Sequence, residues 1–275
     1  MNTQEIMNVA LQLAGMACVP GDSSIYYPGE NIRRILFAVD VGAGELFIAS
    51  ERGFDAVVSH HPPRGAALPL WEVYQRHVGL MVEAGVPQDE AQQAVAGTIA
   101  NMKTAYQAGN HEHFPSLCRL LSIPFMNIHG PLDERGRQIM QAALDESQVE
   151  TVGEVMEVLG ALPELSCAHS QVSLVAGSPS HRVGKVVVAH GCLTNGGYAV
   201  ADTYFRHGID TVVYIHVSHQ DGERLAREGR GNLIVSGHIA SDLVGINPFL
   251  RALSARGLEV VALDGAQSET YQGEK

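Results

Sequence analysis

Histidine is the residue type that stands out in this chain. There are 13 among 275 residues, against a single tryptophan. Five apolar runs finish at or beside one. DAVVS runs into His60 and His61, IPFMNI into His129, VVVA into His190, TVVYI into His216 and LIVSG into His238. Taken singly, each has an ordinary reading as a hydrogen-bonded or exposed ring. Taken together they mark one end of several strands, the end at which parallel α/β sheets bind ligands. Imidazole is the commonest metal ligand and a neutral base near physiological pH.

Carboxylates join two of these histidines at the same spacing. His238 and Asp242 are four residues apart, so a helical turn starting after Gly237 brings both to one face. His129 and Asp133 share the separation, although Gly130-Pro131 reads as a turn, which leaves Asp133 an alternative as a helix N-cap. His60 and His61 are adjacent. Extended side chains alternate in direction, so two neighbouring imidazoles suit two different ions better than one. His60, His61, Asp133, His238 and Asp242 form a mixed nitrogen and oxygen donor set. Such a set suits two divalent transition-metal ions (Zn, Mn, Fe or Co) rather than Ca²⁺ or Cu(I). Two ions with only two carboxylates remain positive and attract a hydroxide, or a phosphate or carboxylate substrate. A hydroxide bridging them is a nucleophile for a phosphoester, amide or ring C–N bond. His216 and His219 are the candidate proton donors to a leaving group, with His190 a further residue lining the site.

The elements that must position these residues alternate. RRILFAVD and DAVVS read as buried parallel strands around a short helix at 45–53, after an amphipathic helix at 3–17 that Asn2 and Glu5 cap. GDSSIYYPGEN (21–31) reads as a polar loop. Residues 70–121 read as mainly helical, broken at 85–87. Strand, helix and strand then alternate, with a helix at 246–257 carrying Pro248 in its first turn. This pattern predicts an α/β fold with parallel or mixed sheets. RGFDAVVSHH (52–61) is echoed by RHGIDTVVYIH (206–216), so two similar α/β domains are expected. The expected boundaries are 1–135 for the first domain, with 231–275 packing back onto it, and 136–230 for the second.

DAVVSHHPP (55–63), NIHGPLDE (127–134) and SGHIASD (236–242), in this order, resemble the family named for NGG-interacting factor three. Its members carry a dinuclear metal centre, and some bear the label GTP cyclohydrolase I type 2. The resemblance implies His60, His61, Asp133, His238 and Asp242 as metal ligands and His129 as their neighbour. It also implies a metal cleft between two α/β domains and a homohexameric toroid. Asp242 departs from the family's usual Glu by one methylene, and the helical stretch at 66–115 exceeds the usual length.

Composition limits the alternatives. Apolar residues make up 45% and charged residues 17%, with a net charge of −12 from 18 basic and 30 acidic residues. That balance argues against a nucleic-acid partner. No run is apolar enough to span a bilayer and no basic start precedes an apolar core, so a cytoplasmic protein with a small-molecule substrate is expected. Cys18, Cys118, Cys167 and Cys192 form no CxxC pair and read as buried reduced thiols. Gly42 and Gly44 lack the third glycine of a dinucleotide fingerprint and read as a tight turn. No cofactor other than metal is expected. The leading reading is a metal-dependent hydrolase. The alternatives are a non-catalytic metal-binding or partner-binding protein and, less favoured, a nucleotide-binding module without metal.

Overall fold

The computed structural model describes residues 1–267. The chain is α/β and forms two compact units. Among the described residues, the first comprises 1–70, 103–132 and 246–267, and the second 71–102 and 133–245. This division differs from the expected boundaries. Residues 231–245 stay with the second unit because the strand they contain lies inside its sheet, and 71–102 join it because they pack onto that sheet.

The first unit opens with α1 (Thr3–Ala14), capped reciprocally by Asn2 and Glu5 as expected. Its sheet contains β1 (Ser24–Tyr27), β2 (Arg34–Ala38), β3 (Ala56–Ser59), β4 (Phe125–Asn127) and β9 (Glu259–Ala262), in the order β1-β4-β3-β2-β9. All neighbours are parallel except β1, which runs antiparallel to β4 at the edge. The loop expected at 21–31 is therefore partly a strand. Its Gly and Pro neighbours disguise it, and its partner lies some hundred residues away, beyond the reach of a local pattern. Between β2 and β3 runs α2 (Ala43–Glu51). Gly42 caps it, donating its N–H to Glu45 at 2.7 Å, and Gly44 already lies in its first turn, so the tight turn expected at this pair is instead the start of a helix. Leu36, Val57 and Phe125 face one core with Leu46, Ala49, Phe114 and Cys118. Side chains alternate along strands, so their neighbours Ile35, Phe37, Val58 and Met126, also buried, turn to the other face.

The second unit contains β5 (Ser173–Ala176), β6 (Val186–Val188), β7 (Thr211–Tyr214) and β8 (Asn232–Val235), in the order β5-β8-β7-β6. This repeats the β1-β4-β3-β2 order of the first sheet. In both, the edge strand is antiparallel and the rest parallel, and in both the edge strand carries a register shift. The internal echo at 52–61 and 206–216 is β3 and β7, at equivalent places in the two sheets. One face of the second sheet, with Val212, Tyr214 and Leu233, packs against α10 (Gly197–Arg206), α11 (His219–Glu228) and the 71–102 stretch. That stretch holds α3 (Leu70–Tyr74), α4 (Arg76–Ala84) and the start of α5 (Gln88–Tyr106). The helical insertion thus covers a sheet face through Tyr74, Met81, Val86, Ala91 and Val95. The alternate residues Val213 and Ile234 meet Met140, Leu144, Val155, Leu159 and Val244. These come from α7 (Gly130–Glu146), α8 (Val152–Gly160) and α12 (His238–Ser254). The short helices α6 (His113–Leu121) and α9 (Pro163–Ser166) complete the element list among the described residues.

Two helices differ from expectation. Asp133 lies in the first turn of α7, whose helix already begins at Gly130, so it is not the cap. Pro248 sits inside α12 rather than opening a helix at 246. An interior proline costs about 3 kcal/mol. Phe249, Leu250 and Leu253 are fully buried, and burial is worth roughly 1.5–3 kcal/mol for each such side chain. Their burial outweighs the lost backbone bond, and the helix continues.

Candidate metal centre

Every strand-end histidine of the sequence reading follows a strand at its carboxyl end. His60 and His61 follow β3, His129 follows β4, His190 follows β6, His216 follows β7 and His238 opens the helix after β8. The His-x-x-x-Asp pair occurs twice at equivalent positions, as His129 and Asp133 after β4 and as His238 and Asp242 after β8. In each case the Asp lies near the start of the following helix.

In the first unit, His60, His61 and His129 form a group whose ligand atoms all lie within 4.8 Å of one another. The His60 and His129 rings stack at 4.7 Å between centroids, and His60 and His61 lie at 5.0 Å. Each ring has its Nδ1 against an acceptor. His60 Nδ1 donates to the Ile128 carbonyl at 3.0 Å, His61 Nδ1 to Asp40 Oδ1 at 2.8 Å and His129 Nδ1 to Asp22 Oδ2 at 2.8 Å. A carbonyl or a carboxylate accepts here, so each Nδ1 carries a proton, and in the neutral ring Nε2 then carries the lone pair. That tautomer, held by an outer carboxylate or carbonyl, is the arrangement by which proteins orient metal-binding imidazoles. Asp22 has no exposure, and Asn127 holds its segment by donating to the Asp22 carbonyl at 2.7 Å.

In the second unit, Asp133 and Asp242 are both buried, at 3% and 1% exposure. His190 Nε2 lies 3.7 Å from Asp133 Oδ1 and 3.8 Å from Asp242 Oδ1. His238 Nε2 lies 3.5 Å from Asp242 Oδ2. His216 meets the His238 ring edge-on at 4.8 Å. Its Nδ1 lies 2.8 Å from Asn195 Nδ2, and Asn195 Oδ1 accepts from the Gly197 N–H at 2.8 Å. The Gly197 bond fixes the amide orientation, so Asn195 donates, His216 Nδ1 accepts and the His216 proton resides on Nε2. Desolvation lowers the His216 pKa, and His190 adds to this against the raising effect of Asp242. The lowered pKa favours the neutral ring, which presents an N–H. His219, at the start of α11, has 88% of its side chain exposed and lies 3.5 Å from Glu223.

These donors fit divalent transition metals. The histidines offer oriented imidazole nitrogens, and buried carboxylates supply the anionic component that such ions require. Buried His and Asp groups of this kind can hold a metal ion.

A NIF3-superfamily protein from Sphaerobacter thermophilus, solved as a crystal structure, is 45% identical to this chain, with 96% of this chain and 98% of that one covered and a TM-score of 0.92. The chain belongs to the NIF3 superfamily. More distant structures share the fold. Reduced HcgD from Methanocaldococcus jannaschii aligns at 16% identity over 96% of this chain and 98% of that one, with a TM-score of 0.60. A Thermus thermophilus protein aligns at 16% over 97% and 99%, with a TM-score of 0.54. No family model matches the chain, and no curated protein matches it.

Several residues around these donors carry weak or no signal in the sequence. Asp22 lay in the segment read as a loop. Asp40 is the acid that ends the β2 apolar run, a signal of the same kind as the strand-end histidines. Asn195 has no local signal. His111 has its Nδ1 at 2.7 Å from the Gly65 carbonyl and its Nε2 at 3.1 Å from the Tyr106 carbonyl, and its ring stacks on Tyr106 at 4.5 Å. It ties down the loop that follows His61. Of the four thiols, only Cys118 and Cys192 are buried, and Cys18 and Cys167 are exposed. Burial pushes Cys192 up to about 12 and Cys118 up to about 11, which keeps both protonated and inert. No helix among the described residues is long and apolar enough to cross a membrane.

Proposed function

We propose that this chain is a dinuclear divalent-metal protein acting as a metal-dependent hydrolase. In this reading His60, His61, Asp133, His238 and Asp242 serve one pair of ions, with His129 beside them. The carrying observation is the set of three imidazoles whose Nδ1 protons are all committed to acceptors, leaving Nε2 in the ligand form. When bound, two such ions activate a water and stabilise developing negative charge on a phosphoester, amide or ring C–N substrate.

The residues of the chain would divide the remaining work. Asp22 and Asp40 hold the His129 and His61 rings in their tautomers. Asn195 orients His216 so that its Nε2–H is available to a leaving group. His219 is a second candidate donor, although its exposure suits contact with an entering substrate better than a dry proton transfer. A small-molecule substrate, phosphate-bearing where charge selects it, agrees with the cationic centre. A homohexamer and a cytoplasmic location complete the proposal, both resting on the family resemblance and the sequence.

A second reading, a non-catalytic metal-binding or partner-binding protein, has one observation in its favour. The strand ends are rich in donors, and a shell that closes fully leaves no position for substrate. Elemental analysis and turnover decide between them. The hydrolase reading expects two ions per chain, and loss of both metal and hydrolysis of phosphoester, amide and cyclic amidine substrates in His61→Ala and Asp133→Ala. Undiminished turnover by metal-free protein would refute it. Two bound ions with no turnover across those classes would leave the second reading.

A further inference from the structure

We propose that His190 is an additional metal ligand of this chain, donating Nε2 to an ion that Asp133 and Asp242 also hold. The inference rests on the dinuclear reading above and adds a donor outside the set that the family motifs supply.

His190 follows β6 and is 4% exposed. Its Nε2 is buried and makes no hydrogen bond. The nearest carboxylate oxygens are Oδ1 of Asp133 at 3.7 Å and Oδ1 of Asp242 at 3.8 Å. Both distances are too long for a hydrogen bond, which for N–H···O lies at about 2.7–3.2 Å. Elsewhere in the same chain, a histidine beside a carboxylate closes to 2.8 Å, as His61 does on Asp40 and His129 on Asp22. His190 stands off from two acids at once by nearly equal amounts.

Coordination explains that spacing. With metal–ligand bonds of about 2.0–2.1 Å, two donors at tetrahedral to trigonal angles on one ion lie roughly 3.3–3.6 Å apart, within about 0.2 Å of both separations here. An imidazole held at that distance from two buried carboxylates occupies a ligand's place rather than a hydrogen-bond partner's. The backbone maintains the placement. Gly191 has φ +75°, and a Cβ there would lie 3.1 Å from the Glu134 Cα, so the turn after His190 presses against the residue next to Asp133. A Cβ on Gly136 would lie 3.7 Å from His190 Cδ2, so α7 also bounds the ring. The extra nitrogen adds to the ligand field without adding charge.

The test uses full-length protein loaded with Co²⁺ or Zn²⁺. Metal content, dissociation constants by chelator competition and the Co²⁺ visible spectrum are compared for wild type, His190→Ala and His190→Cys. The expected result is two ions in wild type, an affinity at least about tenfold lower for one ion in His190→Ala, and an altered Co²⁺ spectrum. His190→Cys should bind Co²⁺ with a new thiolate-to-metal charge-transfer band that wild type lacks, and this variant decides the question if the alanine protein does not fold. Wild-type affinity and spectrum in folded His190→Ala, or a Co²⁺-loaded His190→Cys without the new band, would overturn the assignment of His190 alone. A wild-type protein that takes up no transition metal would overturn the dinuclear reading as well.

Discussion

His129 Nδ1 lies 2.8 Å from Oδ2 of Asp22, a carboxylate with no solvent exposure that sits 107 positions earlier in the chain. A carboxyl group taken out of water needs hydrogen-bond partners in its place, and the imidazole supplies one. Asp22→Asn keeps the shape and removes the charge. It should lower metal affinity by about 10–100-fold while leaving the two-ion stoichiometry intact. Chelator competition measures this, and unchanged affinity would show that the outer carboxylate does not tune the ring.

Gly191 offers a backbone test. A non-glycine residue in the left-handed region costs about 1–2 kcal/mol, and a Cβ at 191 also crowds the Glu134 backbone. Gly208, at φ +76°, has nothing within 4 Å of an added Cβ. Gly191→Ala should therefore destabilise more than Gly208→Ala and alone should weaken metal binding. Urea denaturation of the two variants, with metal titration, measures both effects.

His77 carries a pH dependence. Desolvation lowers its pKa to about 4 from 6.5. Arg76 adds to this, and the bond from Nε2 to the Thr194 carbonyl at 2.9 Å opposes it. Between pH 6.5 and 4 the unfolded chain takes up a proton here that the folded chain refuses. Stability should fall as pH drops through that window, by about 3 kcal/mol by pH 4, with no contribution above it. His77→Gln, which keeps a donor for Thr194, should remove that part of the slope in denaturation curves recorded across pH.

Asp242 tests the one-methylene departure from the family's usual Glu. It is 1% exposed, and an added methylene in a packed site costs typically about 1–3 kcal/mol. Asp242→Glu should destabilise the metal-free protein by that amount and still bind two ions, since the carboxylate remains. A stability equal to wild type in urea melts would show that the pocket has room for the longer side chain.

What could be read along the chain was local. Apolar runs of three to five residues defined β2, β3, β7 and β8, because a buried parallel strand is apolar on both faces. Strand-end histidines were legible for the same reason, standing at or just past the ends of such runs. The echo between 52–61 and 206–216 was visible because two sheets of the same strand order repeat the same local sequence. The Asn2 and Glu5 cap was likewise set within a few residues.

The remainder depended on contacts between distant segments. β1 became a strand only through pairing with β4, and its arrival buried Asp22 behind His129. Residues 71–102 joined the second unit because their apolar faces found the β7 and β8 side chains. Pro248 stayed within a helix because the burial of Phe249, Leu250 and Leu253 exceeded its penalty. His190 was noticed in the sequence, but its stand-off between Asp133 and Asp242 exists only once α7 and α12 bring those acids to the end of β6. Residue type and spacing thus named the candidate donors of this protein, while long-range packing chose which carboxylates orient its imidazoles, since hydrogen-bond geometry and burial are properties of side chains that meet only in the folded chain.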